Sequence, residues 1–101
     1  MKYDVSVLVP VYNVSKFIER CLHSLFGQTF PNIQYVFVDD CSPDRSVEII
    51  QEVLKEYPQR KEHVKIINHD KNRGLAASRN TGIENAGGEN VLHIDSDDYI
   101  E

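Results

Sequence analysis

Apolar residues fall into four short runs and three longer segments with helical spacing. The short runs are bounded by polar residues or proline, which is typical of buried strands. They cover residues 5–9, 33–38, 64–67 and 91–94. The segments between them repeat apolar side chains at every third or fourth position, so each predicts a helix packed against the strands.

The predicted helices are delimited by capping and breaking residues. In chain order they cover residues 15–26, 42–57 and 75–86. Ser15 is the expected N-cap of the first, and Ser42 caps the second with Pro43 at the first helical position. Residues 59–63 are mostly charged and polar, and we expect an exposed connection there.

The element order is therefore β-α-β-α-β-α-β in one domain, residues 1–101. Strands that alternate with helices over short connections predict an α/β fold, a Rossmann-like parallel sheet with helices on both faces. Polar side chains follow each strand. They are Tyr12 and Asn13, Asp39 and Asp40, Asn68, and Asp95 and Asp97. Because the carboxyl ends of parallel strands share one edge, these residues predict a ligand site there.

The acidic group after strand four indicates a metal. Asp95, Asp97 and Asp98 follow an apolar run directly, and Mg²⁺ or Mn²⁺ held by carboxylate oxygens would relieve their mutual repulsion. A solvated acidic turn is the alternative. The turn after strand one has no glycine, which argues against a dinucleotide fingerprint and leaves phosphate binding to the metal.

The other polar residues suggest a metal-bound nucleoside diphosphate. Tyr12 can stack on a base, Asp40 can accept a hydrogen bond from base or ribose, and Arg79 can bind phosphate. Simpler alternatives remain open. Tyr12 can pack on helix one, Asp39 and Asp40 can cap helix two, and Arg79 can pair with Asp95 or Asp97. His69 is predicted to be a solvated loop residue.

Composition narrows the function classes. A hydrophobic content of 41% with 27% charged residues is that of an ordinary globular domain. The net charge of −5 argues against a nucleic-acid partner. The two cysteines form no metal-ligand spacing, so free thiols in a reducing compartment are expected. The chain enters a strand-like run at once, so we expect no signal peptide and a cytoplasmic location.

Five blocks of sequence resemble the N-terminal half of the family 2 inverting glycosyltransferases, which have the GT-A fold. In order they are VSVLVPVYN (5–13), SLFGQT (24–29), VDDCSPD (38–44), NRGLAASRNTG (72–82) and DSDD (95–98). The resemblance covers essentially the whole chain. Cys41 stands where the family usually has glycine, and Arg73 where glycine is common, which leaves donor preference open.

The resemblance also implies roles for individual residues. Those implied to bind the nucleotide-sugar are Pro10, Tyr12 and Asn13 beside the base, Asp39 and Asp40 at base and ribose, Asn72, Gly74 and Arg79 in the third block, and Asp95. Asp95 and Asp97 match the Asp-x-Asp motif whose later carboxylate holds Mn²⁺ or Mg²⁺ on the diphosphate. Asp98 is close enough to be a ligand too, and the choice between Asp97 and Asp98 stays open.

The implied function is transfer of a sugar from a nucleotide-diphosphate sugar, with UDP as the expected nucleotide, to an acceptor hydroxyl with inversion. The acceptor would be a glycan or lipid-linked sugar of polysaccharide biosynthesis, reached in the cytoplasm or at the cytoplasmic face of the membrane. The family's general base lies downstream of the Asp-x-Asp block, so residues 1–101 are expected to bind donor without catalysing transfer. The open edge of strand four is expected to favour self-association.

Three other classes of protein share parts of this pattern. Haloacid-dehalogenase phosphatases carry Asp-x-Asp after the first strand, with Thr or Val two residues beyond the second Asp, where this chain has Tyr99. Receiver domains need an acidic pair after strand one, which this chain lacks. A non-catalytic module that binds nucleotide sugars remains an alternative.

Overall fold

Four strands form one parallel sheet in the computed structural model, which describes residues 3–29 and 32–95. They are β1 (Tyr3–Val11), β2 (Ile33–Asp39), β3 (Val64–Asn68) and β4 (Gly88–His93). The strand order across the sheet is β3-β2-β1-β4. The predicted α/β architecture with an all-parallel sheet is confirmed.

Helices cover both faces of this sheet. They are α1 (Ile18–Phe26), α2 (Ser46–Leu54) and α3 (Leu75–Glu84), with a 3-10 helix (Pro58–His63) before β3. The larger core lies under α1 and α2, where Val9 and Phe37 of the sheet meet Leu22 and Ile50. On the opposite face α3 crosses β1, and Gly82 lets it approach Leu8 closely.

The chain reverses its direction of winding beside β1. From β1 it moves through α1 to β2 and then β3 on one side, whereas α3 returns it to β4 on the other side. The gap between β1 and β4 is thus the topological switch point, outside which open α/β sheets bind their ligands. The fold therefore places the residues after β1 and after β4 at a common crevice.

β1 extends through Pro10, although the sequence prediction ended strand one before it. Backbone groups of β1 point alternately to its two neighbours. The Val11 carbonyl accepts a hydrogen bond from Asp40 on the β2 side, and the Leu8 carbonyl accepts one from Ile94 on the β4 side. Pro10 faces the β4 side beyond the end of β4, a position where a residue without N–H does not interrupt the ladder.

Two helix starts lie later than predicted, because contacts between loops replace the expected caps. The Ser15 amide donates to the Asp44 carboxylate, and α1 begins only at Ile18. Ser42 likewise caps no helix, and α2 begins at Ser46. At Ser42 a hydrogen bond from the Asn13 amide uses the hydroxyl that local sequence assigned to capping.

Residues 59–63 are mostly exposed, as their charge predicted, with one exception. They belong to the 3-10 helix, and Arg60 is buried. Its guanidinium donates to the backbone carbonyls of Phe26 and Gln28 and lies over the Tyr35 ring. Arginine supplies five donors, so it can be buried against carbonyl oxygens where its charge alone suggests exposure.

β4 begins at Gly88 and is the most exposed strand, with Val91 and Leu92 nearly half exposed on opposite faces. Gly88 has no room for a side chain, because a Cβ there would lie 2.6 Å from the Ser6 amide nitrogen. Over the described part of the chain, the helices are all too short or too polar to cross a membrane.

Candidate functional site

A cavity of about 440 Å³ opens at the carboxyl edge of the sheet, at the switch point between β1 and β4. It is lined by Pro10, Val11, Tyr12, Val14, Phe17, Asp40, Asn72, Gly74, Leu75, Ser78 and Asp95. Residues that are far apart in the sequence thus surround one space, as the parallel topology predicted.

Six of the residues singled out from the sequence line this cavity, and three do not. Those that line it are Pro10, Tyr12, Asp40, Asn72, Gly74 and Asp95. Asn13, Asp39 and Arg79 lie outside the lining. Asp97 and Asp98 are outside the described residues, so their predicted contacts with a metal stay predictions.

Asp40, at the end of β2, has its carboxylate buried and held by three donors. Oδ1 accepts hydrogen bonds from His69 Nδ1 and from the Arg73 amide, both at 2.8 Å, and Oδ2 accepts one from the Gly74 amide at 2.9 Å. Burial alone would raise the pKa of this carboxyl, but the hydrogen bonds from His69, Arg73 and Gly74 outweigh it and lower the pKa. Asp40 is therefore ionised and fastens the loop before α3 to the sheet.

The side chain of His69 is buried, with 6% of it exposed, and the prediction of a solvated loop residue is wrong. Its Nδ1 meets Asp40 and its Nε2 lies 2.8 Å from Thr81 Oγ1 on α3. Its backbone amide also donates to the Asp39 carbonyl at 2.8 Å. No local pattern indicates this burial, because His69 stands in a polar loop and its side-chain partners are 29 and 12 residues away in the chain.

The loop after β1 is held against the segment before α2 by Asp44. The Asp44 carboxylate accepts hydrogen bonds from Ser42 Oγ at 2.5 Å, Ser46 Oγ at 2.6 Å, the Ser46 amide at 3.1 Å and the Ser15 amide at 3.0 Å. Burial tends to raise its pKa, and these hydrogen bonds lower the pKa far below the ordinary value. Ser42 Oγ in turn accepts from the Asn13 amide at 2.8 Å.

Asn13 and Cys41, which flank this contact, both adopt left-handed backbone, with φ of 54° and 58°. Asparagine tolerates this region better than most residues, whereas cysteine does not. The left-handed turn at Cys41 explains why glycine suits this position in the family that the sequence resembles.

Asp39 and Arg79 have local partners. Asp39 Oδ1 accepts a hydrogen bond from the Ser42 amide at 2.9 Å, which is the backbone-capping role considered as an alternative, although in a turn before α2. Arg79 forms an ion pair with Asp95, with 3.8 Å between guanidinium nitrogen and carboxylate oxygen. Both side chains of this pair are about half exposed, so the pair is weak and can open.

Asp95 is the one predicted metal ligand among the described residues. Its exposed carboxylate follows β4 and lines the cavity, so its oxygens are accessible to a divalent cation. Among residues 3–29 and 32–95 no three His, Cys, Asp or Glu side chains are grouped as a metal site. The donor chemistry of Asp95 fits the predicted metal.

Part of the cavity wall is apolar and was not predicted. Phe17 is 56% exposed and precedes α1, although its spacing suggested a place in the core. Leu75 at the start of α3 is also half exposed, and the Val14 side chain completes this side. Buried Ser78, whose Oγ donates to the Gly74 carbonyl at 3.0 Å, forms the floor. A helix pattern alone does not show which apolar residues face a cavity.

Known sequences match almost the whole chain. The profile of the family described as Glycosyl transferase family 2 matches residues 6–101. An uncharacterized glycosyltransferase of Bacillus subtilis (strain 168), EpsJ, is 44% identical over 96 residues, which are 95% of this chain and 26% of EpsJ. The chain thus spans about a quarter of this relative's length.

Solved structures match the fold equally well. TarS 1-349 of S. aureus in complex with UDP-GlcNAc has a TM-score of 0.86 and 38% identity, over 97% of this chain and 28% of that one. The mannosyltransferase PcManGT of Pyrobaculum calidifontis, in complex with GDP-Man and Mn²⁺, has a TM-score of 0.86 and 28% identity, over 96% of this chain and 28% of that one. Both structures hold nucleotide-sugar donors.

Proposed function

The chain belongs to glycosyl transferase family 2, and on that premise we propose that its cavity binds a nucleotide-diphosphate sugar donor. The identification made from the sequence blocks is confirmed, as is the fold. One observation carries the proposal: four of the five resembling blocks, three at the ends of β1, β2 and β4 and one across the start of α3, line one cavity at the topological switch point. The bound donors of TarS and PcManGT support it.

The base and ribose would lie on the β1 side of the cavity. Tyr12 is half exposed there, and its ring is free to stack on a base. The Asp40 carboxylate is already held by three donors, so a contact with base or ribose would add to these hydrogen bonds rather than replace them. We expect UDP to be the preferred nucleotide, as in the TarS complexes.

The diphosphate would lie on the β4 side, near Asp95. In the proposal Asp95, together with Asp97 and Asp98, holds Mn²⁺ or Mg²⁺. The cation would neutralise the negative charge of the diphosphate, including the charge that develops on the leaving group. Arg79 can then exchange its ion pair with Asp95 for a phosphate oxygen, at small cost because the pair is exposed. The Mn²⁺ in PcManGT supports this part.

The proposed reaction of the whole enzyme is transfer of the sugar to an acceptor hydroxyl with inversion. The acceptor is proposed to be a glycan or lipid-linked sugar, in the cytoplasm or at the cytoplasmic face of the membrane. The 101 residues are proposed to supply donor binding only. We predict that the isolated chain transfers no sugar.

Calorimetric titration of the 101-residue chain with UDP and with GDP, each with and without Mn²⁺, tests the donor site. We expect UDP to bind and Tyr12→Ala to weaken it about tenfold, which is the loss of one stacking contact of roughly 1–3 kcal/mol. Ile83→Ala is the matched control, because Ile83 is equally exposed on α3 but lies outside the cavity lining. Equal loss in both variants, or no UDP binding by the unaltered chain, would contradict the proposal.

The metal is tested in the same titration by chelator and by Asp97→Ala. UDP affinity should fall strongly in either case. Affinity that is unchanged in chelator would rule out the metal role and leave nucleotide binding intact.

A further inference from the structure

His69 links three elements through two hydrogen bonds in the interior. It follows β3, its Nδ1 meets Asp40 at the end of β2, and its Nε2 meets Thr81 on α3. With 6% of its side chain exposed, His69 has no direct access to the cavity. Its influence on the cavity must therefore pass through its partners, Asp40 beside the cavity or Thr81 on α3.

Donor and acceptor chemistry fixes which nitrogen of His69 carries a proton. The ionised Asp40 carboxylate can only accept hydrogen bonds, so Nδ1 must be the donor. In the neutral imidazole Nε2 is then the acceptor, and Thr81 Oγ1 donates to it. The ring is thus held at both nitrogens, with its Nδ1–H directed at Asp40.

Asp40 connects His69 to the cavity wall by hydrogen bonds. Its Oδ1 is shared by His69 and the Arg73 amide, and its Oδ2 receives the Gly74 amide. Gly74 lines the cavity and has a φ of 93°, one of many conformations open to glycine, so its contact with Asp40 helps to select it. Asn72 and Leu75, on either side of this segment, also line the cavity.

We propose that His69 is a positioning residue of the nucleotide site. By donating from Nδ1 to Asp40, it keeps that carboxylate aimed at the Arg73 and Gly74 amides and so keeps the wall formed by residues 72–75 in place. The effect of His69 on nucleotide affinity rests on the proposed donor-binding function. The positioning of residues 72–75 does not, because it is a property of the chain without ligand.

Two substitutions separate the nitrogens of His69. In His69→Asn the side-chain amide nitrogen occupies nearly the position of Nδ1, so the donor to Asp40 is kept and the bond to Thr81 is lost. In His69→Gln the amide lies near the Nε2 position, so the contact with Thr81 is kept and the donor to Asp40 is lost. Thr81→Val removes the outer hydrogen bond alone at nearly constant volume.

The first readout is amide hydrogen exchange of Arg73 and Gly74 in the chain without ligand. Amides that donate to a buried carboxylate exchange slowly unless the segment opens. We expect about tenfold faster exchange at both positions in His69→Gln, and near-normal exchange in His69→Asn and Thr81→Val. Urea unfolding of each variant shows whether the change is local or global.

The second readout is UDP affinity, expected to fall about tenfold in His69→Gln and to be rescued in His69→Asn. Unchanged exchange and affinity in His69→Gln would overturn the inference, as would equal losses in the Asn and Gln variants. If His69→Gln does not fold, fast exchange in His69→Asn would still overturn it and slow exchange would support it. If exchange responds as expected but no variant or unaltered chain binds UDP, the proposed function fails and the positioning role stands.

Discussion

At the scale of single residues, the loop around Cys41 carries an avoidable conformational cost. Cys41 has a φ of 58°, and left-handed backbone costs an L-residue roughly 1–2 kcal/mol. Glycine escapes that cost but loses more entropy on folding, about 0.5–1 kcal/mol. The difference favours glycine at this position.

Cys41→Gly should therefore raise the free energy of unfolding by about 0.5–1 kcal/mol. Urea denaturation measures this, and Cys41→Ala is the control, because alanine removes the thiol and its contact with the Asp70 carbonyl but keeps the Cβ. An equal gain in Cys41→Ala would show that the thiol, and not the backbone, carries the cost.

Gly74 is the opposite case, a residue that no other type can replace. Its φ of 93° and ψ of 171° lie in a region reached almost only by glycine, although a Cβ there would meet nothing within 4 Å. Gly74→Ala should thus lower stability by about 1–3 kcal/mol through backbone strain. It should also weaken UDP binding, since the strained segment lines the cavity.

Gly87→Ala is the matched control for Gly74→Ala. A Cβ at Gly87 would make only ordinary contacts, the nearest being Gln34 Oε1 at 3.7 Å, and no positive φ is involved. Similar losses in the two variants would contradict the strain argument.

At the scale of elements, periodicity predicted every strand and α-helix of the described chain, but neither the 3-10 helix nor the residues where two α-helices begin. Neither Ser15 nor Ser42 caps a helix. The Ser15 amide and the Ser42 hydroxyl both donate to the Asp44 carboxylate, which joins the loop after β1 to the segment before α2. Such contacts join segments about 30 residues apart, so no local pattern reveals them. His69 and Arg60 were misjudged for the same reason, because their charge or polarity indicated exposure and their distant partners allow burial.

The Asp44 contacts predict how the stability of the loop pair depends on pH. Because hydrogen bonds lower its folded pKa below the ordinary 3.8, the unfolded chain binds a proton at higher pH than the folded chain. The stability from Asp44 is complete above the unfolded pKa and is lost as pH falls from there toward the folded pKa. Asp40, whose pKa is also lowered, adds to this loss in acid.

Asp44→Asn should lower stability by about 1–3 kcal/mol at neutral pH, because at least one buried amide or hydroxyl loses its acceptor. Below about pH 4 the difference from the unaltered chain should narrow, since the Asp44 carboxylate of the unfolded chain is then becoming protonated while that of the folded chain stays ionised. Urea denaturation between neutral and acid pH measures both effects. Glu84→Gln on the exposed side of α3 is the control and should show neither.

At the scale of the whole molecule, the parallel topology made the position of the site predictable, but not which side chains point into it. Once the strands alternate with helices, their polar ends must share an edge, and Tyr12, Asp40 and Asp95 do line one cavity. Side-chain direction is a different matter. Asp39 and Asp40 are neighbours in one motif, yet only Asp40 reaches the cavity, because successive residues of an extended segment point to opposite sides.

The same topology leaves β4 with one neighbour. β4 pairs with β1 alone within the described sheet, and Val91 and Leu92 are exposed on its two faces. Ile94 donates to Leu8, so backbone groups of alternate residues face β1, and those of Val91 and His93 point outward. An unpaired apolar edge of this kind can pair with the edge of another chain.

We therefore predict concentration-dependent self-association of the 101-residue chain through β4. Val91→Pro removes one outward N–H while proline remains tolerated on an edge, so it should shift the chain toward monomer. Val91→Thr keeps the N–H and the branched shape, and it should associate like the unaltered chain. Light scattering across a concentration series measures the mass. If the unaltered chain is monomeric at every concentration, the prediction of association through β4 is wrong. If both variants associate equally, the contact lies on a surface other than the β4 edge.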